Sequence, residues 1–218
     1  MSDANSVNPE PAAIEVDGMS RASFLLRGVL ATGAVYGASA VAPFVSHAFA
    51  QAPTGASGTS SSGDAEILNF ALTLEYLEAA FYQKKAAEVG LSGQAKIYAK
   101  QFGEQEAAHV AALTAAIKAL GGTPVKEPKF VFPATDQASF LALASVLENT
   151  GVGAYNGAAP SLQSKQVLAE AGGIVQVEAR HAAAIDLLIG KSPTPNGGFD
   201  RPLSKSQVLA TAGPLIKE

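Results

Sequence analysis

The chain has 218 residues, 48% of them apolar and 16% charged, with a formal net charge of −4 and neither cysteine nor tryptophan. That length gives room for one domain of ordinary size with a real hydrophobic core. The charge balance, without any basic block, gives no argument for a nucleic-acid surface, and the lack of cysteine excludes disulfides, thiol catalysis, Fe–S clusters and thiolate zinc.

Residues 1–19 are polar and contain prolines, and are expected to be disordered. Ser20-Arg21-Ala22-Ser23-Phe24-Leu25, Arg27 and a weakly apolar Ala/Gly/Val run to Val45 follow, and Ala48-Phe49-Ala50 closes the segment as a small-x-small cleavage signature. Residues 1–50 therefore read as an export signal, cut after Ala50, that delivers the protein to the periplasm, cell envelope or exterior. The frame is similar to a twin-arginine signal, with Ala22 where the second arginine would stand. Left uncleaved, residues 28–46 are about long enough to anchor in a membrane, but Pro43 and several glycines argue against that. Residues 51–63, rich in Gly, Ser and Thr, read as a flexible linker.

Four amphipathic segments fill 64–190. Asp64 can cap a first helix to about Val89, with Leu68, Ala71, Glu75, Glu78 and Tyr82 on one stripe and Gly90 as its stop. Ser92 can cap a second, to about Leu120, whose stripe holds Phe102, Glu106, His109, Leu113 and Ile117. The short connection makes these two antiparallel neighbours. Residues 121–136 carry three prolines and no helical period. A helix of about 29 residues is roughly 43 Å long, and about 16 extended residues reach a little over 50 Å. The segment can thus run the whole length of the bundle, making helices two and three parallel. The third helix is expected from about Asp136 to Ala158, with Leu141, Ser145, Glu148, Val152 and Tyr155 on its stripe. Gly151, Gly153 and Gly157 predict close approach of a neighbour there. After Pro160, a fourth runs from about Ser164 to Ile189 with Ala171, Ile174, Glu178, His181, Ile185 and Leu188. The Pro/Gly-rich tail, 191–218, offers a short helix over 204–212, packed on the outside of the bundle or on a partner subunit. The fold class is all-α: an antiparallel four-helix bundle with one long crossover between helices 2 and 3.

Both histidines outside the signal, His109 and His181, follow a glutamate by three residues, Glu106 and Glu178. That spacing puts each pair on one helix face, one turn apart. Upstream of each pair lies a Glu-x6-Tyr unit, Glu75 with Tyr82 and Glu148 with Tyr155. Glu75 to Glu106 spans 31 residues and Glu148 to Glu178 spans 30, so a helix pair is duplicated. The four glutamates fall in the middle of apolar stripes, where an ionised carboxylate costs several kcal/mol unless paired. Two divalent cations would neutralise the four carboxylates, with neutral imidazoles completing the coordination, and an oxygen and imidazole set suits Fe or Mn. Glu75, Glu106, His109, Glu148, Glu178 and His181 are the candidate ligands. Glu78, one turn from Glu75, is an alternative ligand. Tyr82 and Tyr155 read as core aromatics or as hydrogen-bond donors to ligand carboxylates. Glu104, Gln105 and Arg180 are expected to point away from the centre.

The phrases Leu74-Glu75-Tyr76-Leu77-Glu78-Ala79-Ala80-Phe81-Tyr82, Glu106-Ala107-Ala108-His109 and Glu178-Ala179-Arg180-His181 resemble the ferritin-like superfamily, and within it the exported ferritin-like domain proteins that include desiccation-related proteins. The resemblance covers about residues 64–190. It implies a ferritin-like bundle holding two non-haem Fe or Mn ions on the six residues named, with one glutamate from each half bridging. It further implies redox chemistry with O2 or peroxide, or Fe(II) oxidation. The alternatives are a non-catalytic, stress-associated metal-binding protein and a surface-interaction module working through the tail. The expected partners are a small oxidant or a metal ion, with no nucleic acid, and a homo-oligomer is compatible with the tail.

Overall fold

The computed structural model describes residues 58–217; residues 1–50, read above as an export signal, and residues 51–57 of the expected linker lie outside that range. Helix α1 (Gly58–Ala80) continues through a π-helical turn (Phe81–Lys85) into the short α2 (Ala86–Val89), and α3 (Gly93–Ala119), α4 (Gln137–Ala158), α5 (Lys165–Leu188) and α6 (Lys205–Ala212) follow. Gly90 ends the first rod in the left-handed conformation at φ 67°, which a side chain disfavours. Asp136 caps α4 in a capping box with Ser139, and the Ser164 hydroxyl accepts from the Val167 N–H at the start of α5.

One expected boundary fails. Helix α1 begins at Gly58, so residues 58–63, read as linker, are helical, and Asp64 does not cap it. Asp64 is buried within α1, and its carboxylate accepts from the backbone N–H groups of Gln163 (2.9 Å) and Ser164 (2.8 Å). It therefore satisfies free donors ahead of α5, a helix about a hundred residues further along the chain.

That contact also fixes topology, because it places the beginnings of α1 and α5 at one end of the bundle. At the other end the Ser92 N–H donates to Gln137 Oε1 at 2.8 Å, bringing the starts of α3 and α4 together. Helices α3 and α4 are thus parallel, and the crossover must travel the bundle's length. It runs along α1 as it does so. Asn69 bonds Thr123 and Val125, Lys84 pairs with Glu127, and Phe132 meets Phe81 edge-on. Within it, β1 (Lys129–Phe130) pairs antiparallel with β2 (Ile216–Lys217), a tie between crossover and chain end that the sequence pattern does not show.

The expected stripes face inward, Leu188 excepted: it is 38% exposed. Phe81 stacks on Phe140 with centroids 4.3 Å apart in a cluster that fully buries Leu77 and Ile185, and Leu72 and Ile117 are fully buried in a second cluster. Each such side chain contributes roughly 1.5–3 kcal/mol by leaving water. Helices α4 and α5 are latched by buried Asp186, which accepts from the Ser145 hydroxyl (2.5 Å) and the Asn149 amide (3.0 Å). The tail packs on the outside as expected. Leu203 donates its N–H to the Gly153 carbonyl (2.8 Å), and a Cβ at Gly153 would come within 2.6 Å of Leu203 Cγ. The glycines of α4 therefore serve close approach. No helix among the described residues is long and apolar enough to cross a membrane.

Candidate metal centre

Midway along the bundle, Glu75 from α1, Glu106 and His109 from α3, Glu148 from α4, and Glu178 and His181 from α5 converge, and all six are buried. Their ligand atoms form two groups, each within 4.8 Å: Glu75, Glu106, His109 and Glu178, and Glu106, Glu148, Glu178 and His181. Glu106 and Glu178 belong to both, one from each half of the duplicated sequence.

His109 Nδ1 lies 3.2 Å from Glu75, 3.0 Å from Glu106 and 2.9 Å from Glu178. His181 Nδ1 lies 2.9 Å from Glu106 and 3.4 Å from Glu148. Several of these approaches are close without hydrogen-bond alignment. Glu106 Oε1, Glu148 Oε2, both oxygens of Glu178 and His181 Nδ1 are buried with no hydrogen-bond partner among the described residues. A buried polar atom without a partner loses about 1–3 kcal/mol, more when charged. These oxygen and imidazole donors could hold metal ions, which would satisfy the unpartnered atoms.

The side chains by themselves resolve part of the conflict with protons. Burial lifts the Glu75 carboxyl to about 7, against the opposing pull of His109. Burial likewise raises Glu148 and Glu178, the latter well above the usual range. Burial would raise Glu106 too, but the His109 hydrogen bond and the close approach and charge of both histidines outweigh it and hold its carboxyl below the usual range. The histidines show the converse. Burial disfavours their protonated forms, yet the surrounding glutamates raise His181 to about 10 and His109 well above its ordinary value. These are protons that a bound cation would displace.

The tyrosines cross between the halves. Tyr82 donates to Glu148 at 2.5 Å, and Tyr155 donates to Glu75. Each Tyr of one Glu-x6-Tyr unit thus orients the glutamate of the other, which is the hydrogen-bonding alternative of the sequence reading. The π-turn carries Tyr82, and helix α3 approaches it closely at Gly103, where a Cβ would lie 3.2 Å from Tyr82 Cβ.

One expectation is overturned. Glu104 is exposed, and Arg180 is exposed and donates to the Gln176 carbonyl, but Gln105 does not point away. It is half-buried, with Oε1 2.6 Å from His181 Nε2. Accepting there leaves Nδ1 as the nitrogen free to bind a cation. Phe102, stacked on the His181 ring at 4.0 Å, holds the ring plane. Gln105 adjoins Glu106 in sequence, and its reach across to α5 leaves no trace in helical periodicity. Glu78 is also buried near the cluster, but Glu75 and not Glu78 falls within a four-residue group.

Compared with known proteins, the chain from residue 63 to 191 matches a family model described as "Ferritin-like domain". No curated protein matches it.

Proposed function

The chain belongs to the ferritin-like domain family, and from that premise we propose that it holds a dinuclear non-haem Fe or Mn centre for redox chemistry with O2 or peroxide, or for Fe(II) oxidation. The observation that carries this reading is the pair of four-residue groups sharing Glu106 and Glu178. Glu75 and His109 would serve one ion, Glu148 and His181 the other, with Glu106 and Glu178 spanning both. Bound there, the ions would supply electron transfer and polarise a small oxidant. The chain's own part is orientation and exclusion of water. Tyr155 and Tyr82 fix Glu75 and Glu148, Gln105 fixes His181, and the apolar stripes keep bulk solvent from the carboxylates. The Ser20–Leu25 frame and the Ala48–Ala50 signature support export as the protein's destination.

A second reading, a non-catalytic metal-binding protein of stress or desiccation, is favoured by one observation: Glu106, Glu148 and Glu178 are 0% exposed, as in a closed structural site. Anaerobic loading with Fe(II), followed by exposure to O2 or peroxide, separates the two. The redox reading expects metal-dependent consumption of oxidant that is abolished in His109→Ala and Glu178→Ala. Bound metal that raises the melting temperature while no oxidant is consumed would leave the non-catalytic reading standing.

A further inference from the structure

The duplication that builds the centre breaks at one position. Glu75 matches Glu148, so Glu78, three residues on, matches Gly151. The first half carries a carboxylate where the second carries no side chain at all. The two positions also meet in space. A Cβ at Gly151 would lie 3.2 Å from Glu78 Oε1 and 3.5 Å from Glu178 Oε2. The missing side chain of α4 thus leaves a gap that the Glu78 carboxylate of α1 and the Glu178 carboxylate of α5 both face.

Glu78 is only 3% exposed, and the charges that bear on it most are those of Glu178, Glu148, Glu106 and Glu75, all repulsive. Glu178 Oε2, which faces the same gap at Gly151, is itself buried without a hydrogen-bond partner among the described residues. Placing a fifth carboxylate against four others, with a glycine opposite to admit it, destabilises the protein by itself. Cations shared among all five would offset that cost. We infer that Glu78 is a seventh metal-facing group, a fifth carboxylate that makes one ion position chemically unlike the other. This rests on the dinuclear centre proposed above. It deepens that proposal in a defined direction: with two divalent ions and neutral imidazoles, five carboxylates leave one negative charge uncompensated, so the site favours a pair in which one ion is trivalent.

The test is anaerobic calorimetric titration of the full chain, freed of metal, with Mn(II), for the native protein, Glu78→Gln and Glu78→Asp. Two ions per chain with unequal affinities are expected in the native protein. Glu78→Gln should still take up two, with one of them weakened at least about tenfold. Glu78→Asp, which keeps the charge but withdraws it by one methylene, covers the case in which Glu78→Gln fails to fold and should weaken the same ion. Native-like affinities for both ions in a folded Glu78→Gln or Glu78→Asp would overturn the inference and leave the dinuclear centre intact. No stoichiometric Mn(II) or Fe(II) uptake by the native protein would overturn the centre itself.

Discussion

His181 shows how much of this site depends on which atom faces which neighbour. Its Nδ1 looks into the carboxylates while Gln105 takes Nε2 and Phe102 holds the ring. Replacing Gln105 by Leu removes the acceptor that fixes the tautomer. Metal affinity measured by competition with a chelator is expected to fall roughly 10- to 100-fold, with little change in the melting temperature of the metal-free protein. An unchanged affinity would return Gln105 to the surface role its sequence position suggests. The same groups set a pH dependence. In metal-free protein His181 is raised from 6.5 to about 10 and Glu75 from 4.5 to about 7. A raised value means that the folded state holds the proton more tightly than the unfolded one. The stabilisation is therefore complete below the unfolded value and lost as pH rises through the folded one. Glu75 contributes its loss between about 4.5 and 7 and His181 between about 6.5 and 10, both in the same direction. Glu106, held low, has the opposite sign, and its contribution is lost only in strong acid. Melts in chelator should accordingly drop in temperature from pH 6 to pH 10, and a rise over that interval would contradict the assignment. Metal affinity should increase over the same range, because fewer protons need displacing.

Between elements, the glycines of α4 make the sharpest prediction. Gly157 faces the Leu203 backbone so closely that any Cβ must displace it. Gly157→Ala is expected to destabilise the protein by about 1–3 kcal/mol and to loosen the segment before α6, read out as faster proteolysis there. Asp64→Ala should weaken the junction of α1 with the start of α5 by about 1.5–3 kcal/mol, since two N–H groups lose a charged acceptor. The limits of sequence reading are clear at this scale. Helices α3, α4 and α5 could be placed within a residue or two because glycines and N-terminal Ser or Asp residues bound their apolar stripes, although only Asp136 and Ser164, not Ser92, cap with their side chains. The start of α1 could not: Ser60, Ser61 and Ser62 suggest a linker, and Asp64 looks like a cap until its long-range partners are seen. The β1–β2 pairing was equally hidden, because two-residue strands leave no alternation to detect. The π-turn at Tyr82 was masked by identical Glu-x6-Tyr spacing in both halves.

For the molecule as a whole, the governing feature is a duplicated helix pair whose copies close on each other through a shared cluster. The convergence of the six candidate residues was legible because duplication repeats both residue type and spacing, which chance seldom does. The tyrosines' crossing to the opposite half and the placing of Glu78 against Gly151 were not, since both depend on how the two copies face each other in space. A bundle with so much buried negative charge should be strongly coupled to its cations. Stripping metal is expected to lower the melting temperature and to speed amide exchange across the middle of all four long helices. The most direct test is elemental analysis of the purified protein, prepared without chelators, beside Glu106→Ala. The account expects close to two Fe or Mn per chain, falling steeply when Glu106, shared by both groups, is removed. Substoichiometric metal, unaltered by that substitution, would contradict it and leave the buried glutamates as protonated core residues.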